Sequence, residues 1–161
     1  MKRGQVQQLE FRRALPVVVG NADYLENEAR LSRIDELLRL TGLEDEYIQK
    51  CIVRWELERR EAAEKEGKRI REPSARDLAR YAGICRQALR CNIARQLTEK
   101  EYRKFSLRLA ESALLQWFCL IDRIEQIKVP TKSTLERYDK LLPESQVREL
   151  VDLLNRKAVE D

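Results

Sequence analysis

From Leu78 to Leu154 apolar side chains return every third or fourth residue, in runs that each begin at a helix-start signal. That spacing is the period of a buried helical stripe, not the alternation of a strand. Leu78, Tyr81, Ala82, Cys85, Leu89 and Ile93 make the first stripe, on a helix that Ser74 and Asp77 open as a capping box and that runs to about Leu97. Thr98 with Glu101 reads as a second box, starting a helix to about Ala110 with Tyr102, Phe105 and Leu109 inward. Ser112 caps a third, carrying Leu114, Leu115, Trp117, Phe118 and Leu120. After a loop through Ile127–Pro130, Thr131 or Ser133 caps a helix with Leu135, Tyr138 and Leu142 inward. Pro143 then occupies the first turn of a last helix, lined by Val147, Leu150, Val151 and Leu154.

Upstream, Asn21 caps a helix to about Leu40 with Leu31, Ile34 and Leu38 on one face, and Gly42 stops it. A second helix from about Glu44 carries Ile48, Cys51, Ile52 and Trp55 and continues into a charged stretch where Glu56/Arg60 and Glu61/Lys65 are spaced to pair. With only five glycines and four prolines in 161 residues, little interrupts long helices. The expected fold is all-α, a helical hairpin followed by a helix-turn-helix-like bundle. Residues 1–20 form a flexible arm, 21–66 the hairpin, 67–73 a linker ending at Pro73, and 74–157 the bundle. A chain of this length can bury roughly 70% of its unfolded surface, so a core needs neither metal nor disulfide.

Composition removes several classes of function. No apolar run reaches the length of a membrane span, and in the charged N-terminal segment the only apolar patch is the short Leu15–Val19, which argues against a signal peptide and for a cytoplasmic protein. Cys51, Cys85, Cys91 and Cys119 form no C-x-x-C pair, and histidine is absent, so buried reduced thiols are expected and no metal or other cofactor. Without histidine the usual general base and the Ser-His and Cys-His nucleophile pairs are gone. No glycine-rich phosphate loop is present, and the acids fall on amphipathic faces or in charge-paired stretches. The chain reads as a binding protein and not as an enzyme.

The net charge of +4 is small, so what matters is where the cations gather. On the helix from Ser74, Arg76, Arg80, Arg86 and Arg90 fall in one sector of about 120° opposite the apolar stripe, free of acids, at the 100° per residue of a helix. That stripe reads as a phosphate-binding surface, as a solvated face, or as cations paired with acids of another helix. The segment Lys128–Arg137 brings Lys128, Thr131, Lys132, Ser133, Thr134 and Arg137 to a helix N-terminus, whose free N–H groups and dipole favour phosphate. An ordinary capped helix accounts for the same residues. Arg103 and Lys104, with Arg108, add charge on the preceding helix. Trp117 and Phe118 read as core, with base stacking the less favoured alternative.

Four pieces in order, Asn92–Leu97 (NIARQL), Tyr102–Ser112 (YRKFSLRLAES), Leu114–Cys119 (LLQWFC) and Val129–Tyr138 (VPTKSTLERY), resemble the N-terminal helical domain of bacterial insertion-sequence transposases of the DDE type. The resemblance spans about Asp77 to Leu154, with Leu15–Trp55 fainter. Ala113 stands where such relatives often carry proline. The resemblance implies recognition of terminal-repeat duplex DNA and assembly into a homo-oligomer. Such transposases continue into a catalytic domain with an acidic triad, and no position up to Asp161 matches those acids. The expectation is therefore a DNA-binding and assembly module without strand transfer of its own. In it Thr131, Lys132, Ser133, Thr134 and Arg137 enter a groove, and Arg86, Arg90, Arg103, Lys104 and Lys128 hold phosphates. The competing expectation is an oligomerisation scaffold in which Ile48, Cys51, Ile52 and Trp55 pair between chains and no DNA is touched.

Overall fold

In the computed structural model, which describes residues 14–122, 125–142 and 144–160, every regular element is a helix. Asn21, in extended conformation, opens α1 (Ala22–Leu40) by accepting the Tyr24 N–H at 2.9 Å. Gly42, at φ 75°, separates α1 from α2 (Leu43–Glu66). A side chain there would be forced into the left-handed region, so glycine is what lets the hairpin turn be this short. Residues 14–20 carry no helix, and Leu15 packs on the core. Residues 1–13 of the expected arm and Pro143 lie outside the described residues.

α2 buries Ile48 and Cys51, and Trp55 stacks on Tyr81 of α3 (Ala75–Thr98) with ring centroids 4.3 Å apart. The α2 face expected to pair between chains is thus used within the chain, because α3 covers it. Beyond Trp55, α2 continues exposed. Arg60 reaches Glu72 at 3.9 Å across the following turn, and Arg59 donates to the Arg71 carbonyl at 3.0 Å, so the segment after Gly67 folds back along the helix.

The Ser74–Asp77 capping box forms with both arms, at 3.1 and 3.2 Å. α3 packs against α2, α4, α5, α6 and α7 and is the centre of the bundle. Its second half departs from the one-sided pattern: Cys85, Ala88, Leu89, Arg90, Cys91, Asn92, Ile93 and Ala94 are all buried. A helix surrounded by others has no solvent face, and a helical-wheel argument that assumes one misplaces its charges.

Two boundaries differ from expectation. Thr98 does not cap the next helix. It ends α3, where its hydroxyl donates to the Ala94 carbonyl at 2.9 Å, and Glu101 precedes α4 (Tyr102–Glu111). Leu120 does not lie on the apolar stripe of α5 (Ala113–Phe118). It stands at φ 59° as a left-handed terminator, with Leu120 N–H donating to the Trp117 carbonyl and Ile121 N–H to the Gln116 carbonyl. That is a Schellman closure with leucine where glycine is usual.

Residues 119–131 then lead to α6 (Lys132–Leu141), a longer connection than the three- or four-residue turn of a minimal helix-turn-helix. α7 (Glu144–Glu160) buries Val147, Leu150, Val151 and Leu154 and packs against α1 and α3. A single cluster of buried side chains draws on all seven helices found among the described residues, so the hairpin and the later helices share one core. No helix among the described residues is long and apolar enough to cross a membrane.

Candidate nucleic-acid interface

α6 is seated by three polar contacts on its inner side. Asn92 donates to the Tyr138 carbonyl at 3.2 Å, Arg95 pairs with Asp139 at 2.9 Å, and the Tyr102 hydroxyl donates to the same carboxylate. That bond to Asp139, then burial, raises the Tyr102 phenol above its ordinary range, and burial pushes Tyr138 up to about 12. Leu135 and Tyr138 fill the core below. Ser106 of α4 donates to the Pro130 carbonyl at 2.7 Å, which pins the chain just before the helix.

Held this way, α6 presents its start to solvent. Thr131 is its N-cap; its hydroxyl oxygen accepts the Thr134 N–H at 3.5 Å, and no acid stands in the first turn. Arg137 donates to the Thr134 hydroxyl at 3.4 Å. Thr131, Lys132, Ser133 and Arg137 are exposed, and Thr134 is half-buried. Lys132 and Glu136 approach to 3.6 Å, a surface pair worth only ~0.3–0.5 kcal/mol.

Between α3, α6 and the described part of the chain joining α5 to α6 lies an open cleft of about 1090 Å³. Arg80 and Arg86 reach it from α3, Lys128 from the connecting chain and Arg137 from α6, with the hydroxyls of Thr131 and Thr134 beside them. Asp122 is the one acid among its lining residues, and Oδ2 of that side chain is buried without a hydrogen-bond partner. Among the described residues no ion pair neutralises Arg80, Lys128 or Arg137. Five of the residues expected to touch DNA (Arg86, Lys128, Thr131, Thr134 and Arg137) thus come together, joined by Arg80. Lys132 and Ser133 continue the surface outward. Arg103 and Lys104 are exposed on α4 but do not line the cleft, and Lys104 pairs with Glu101 at 3.4 Å.

Arg90 does not belong to this surface. It is 1% exposed and binds Glu44 through two bonds of 2.7 and 3.2 Å, Asp35 at 2.5 Å and the Phe118 carbonyl at 3.1 Å. Its guanidinium also lies over the Phe118 ring. Burial alone would lower its pKa, but the bonds and charge of Glu44, then Asp35, hold it above the usual value. The planar fork of arginine suits this junction of α1, α2 and α5 on α3. The network continues outward, Arg39 to Asp35 at 3.2 Å and Arg86 to Glu44 and Asp45 at 3.1 Å each. Arg86 reaches the cleft already neutralised, so it is not the free phosphate ligand expected of it.

The signal for this network was in the sequence. Asp35 stands four residues after Leu31, and Glu44 four before Ile48, so both acids fall on apolar faces. A carboxylate at such a position demands a buried cationic partner. Tyr81 was also missed as a cleft residue, because its place in an apolar stripe assigns it to the core.

The four thiols are free and buried. Burial and the neighbouring Cys91 raise Cys119 well above the ordinary thiol range. Among the described residues no three His, Cys, Asp or Glu side chains gather as a metal site. No protein-family model, curated protein or solved structure matches the chain.

Proposed function

We propose that this chain is a duplex-DNA-binding and assembly module. It resembles the N-terminal part of a DDE transposase, recognises transposon-end DNA and carries out no strand transfer of its own. The observation that supports the reading is the convergence of Arg80, Lys128 and Arg137, none held by an acid among the described residues, on a cleft beside the exposed, acid-free start of α6. Cations without partners release counterions from DNA, whereas paired ones must first break their own contacts. The first turn of α6, with Lys132 and Ser133 outward, is the part placed to reach base edges, and Arg80 and Lys128 flank it as phosphate ligands.

Selection from a randomised duplex pool tests this. The expected result is enrichment of one motif by the wild-type protein and a relaxed motif with Arg137→Ala, if Arg137 contacts a base. An equal loss on all sequences reassigns Arg137 to phosphate, and no retained duplex at all overturns the reading. Assembly belongs to the same proposal. With Ile48, Cys51 and Trp55 packed internally, Val53 and Leu57 are the exposed large apolar residues left on α2 for a second copy. Light scattering with and without duplex measures it.

A further inference from the structure

We propose that the cleft between α3 and α6 takes an unpaired stretch of nucleic-acid strand, with Tyr81 as the plane on which a base stacks. The inference rests on the DNA-binding reading and adds a second mode at the same site. Sites for single strands combine a cationic groove that follows the phosphates with an aromatic face that accepts any base. Both are present. Arg80, Lys128 and Arg137 supply the cations, and Tyr81 lines the same cleft.

Tyr81 is held ready for that role. Trp55 covers it at 4.3 Å with the rings 15° from parallel, and Arg59 lies over Trp55 at 4.9 Å. Tyr81 lines the cleft and Trp55 does not, so of the two stacked rings Tyr81 is the one a ligand in the cleft can reach. A ring backed by a second ring loses little freedom when a base joins the stack, which is why preorganisation favours binding. Gly83, with nothing within 4 Å of where a Cβ would stand, leaves the neighbouring wall open, and Ile84, 39% exposed, adds apolar surface. Bases in a duplex are stacked on each other and show only their edges in the grooves. An aromatic residue in the lining of a cationic cleft is therefore of use to a strand whose bases are unpaired.

Fluorescence anisotropy with three labelled probes of similar length separates the possibilities: oligothymidylate, an abasic strand with the same phosphates, and a mixed-sequence duplex. On the wild-type protein the abasic strand is expected to bind about tenfold more weakly than oligothymidylate, the loss of roughly one stacked base. Tyr81→Leu is expected to lower oligothymidylate affinity by about the same factor and duplex affinity by less than about twofold. Tyr81→Phe, which keeps the ring, stays within about twofold on all probes. Equal binding of abasic strand and oligothymidylate overturns the proposal without any variant having to fold. So does a Tyr81→Leu loss shared equally by duplex and single strand. Duplex binding without single-strand binding overturns this inference alone, and failure to bind either probe overturns the DNA reading as well.

Discussion

Replacing Arg90 with alanine should destabilise the protein severely while leaving the cleft cations Arg80, Lys128 and Arg137 in place. The substitution removes the cation between Asp35 and Glu44, both about 1% exposed, and vacates the volume of the side chain. Breaking a buried ion pair by deleting one partner costs about 3–5 kcal/mol, because the remaining charge stays desolvated. Here the loss should fall near the lower end. Asp35 keeps Arg39 at 3.2 Å and Glu44 keeps Arg86 at 3.1 Å, and both cations reach solvent. A loss of about 3 kcal/mol corresponds to a fall in Tm of roughly 10 °C for a chain of this size. It is a large part of the ~5–15 kcal/mol that holds a domain together. Calorimetry on wild type, Arg90→Ala and a triple variant, Arg90→Met with Asp35→Asn and Glu44→Gln, measures it. The triple variant should recover much of the loss, since neutral groups of similar volume replace the charges. An Arg90→Ala variant that melts within about 2 °C of wild type would refute the network's structural role, as would a triple variant less stable than the single one.

Other consequences follow from particular residues. Gly83 sits inside α3 with open space around it, so Gly83→Ala should stabilise by about 0.5–1 kcal/mol through helix propensity, read as a Tm rise of a few degrees; a fall in Tm contradicts the open wall. Ser74→Ala removes one arm of the capping box and should cost about 1 kcal/mol by denaturant melt, with Ser74→Gly costing less. For Tyr138 the folded pKa of about 12 lies above the ordinary 10, so the folded state holds the proton longer. The resulting stability is full below pH ~10 and is lost as the pH rises through ~12. Absorbance titration of the phenols should show Tyr138 among those that ionise late and together with unfolding, and titration of every tyrosine near 10 in the folded protein would contradict its burial.

Much of the fold could be read locally. Asn21, Ser74, Ser112 and Thr131 each carry their start signal within four residues, and each caps a helix in the structure. Thr98 failed because a hydroxyl in the last turn of a helix satisfies itself on the carbonyl four residues back. The site was legible only in part. The cations around α6 are close in sequence, and Lys128, Thr131, Thr134 and Arg137 do share a cleft. The role of α3 was not legible, because it depends on how many neighbours surround that helix. Arg80 and Arg90 lie on the same sequence stripe, yet one opens on the cleft and the other sits among Asp35, Glu44 and Phe118. Asp35 and Glu44 on apolar faces signal a buried cation, but which arginine meets them is set by long-range pairing across α1, α2 and α3, and charge patterning along one helix does not reveal it.

The salt dependence of duplex affinity is the most direct measurement of whether the cleft cations bind nucleic acid. Each phosphate neutralised contributes about −0.9 to the slope of log K against log salt. Replacing Arg80, Lys128 and Arg137 together with alanine should make the slope shallower by about 2.7, while Arg90→Ala, assayed below its melting temperature, should leave it unchanged. A wild-type slope near zero, or one that the triple substitution does not alter, would contradict the account.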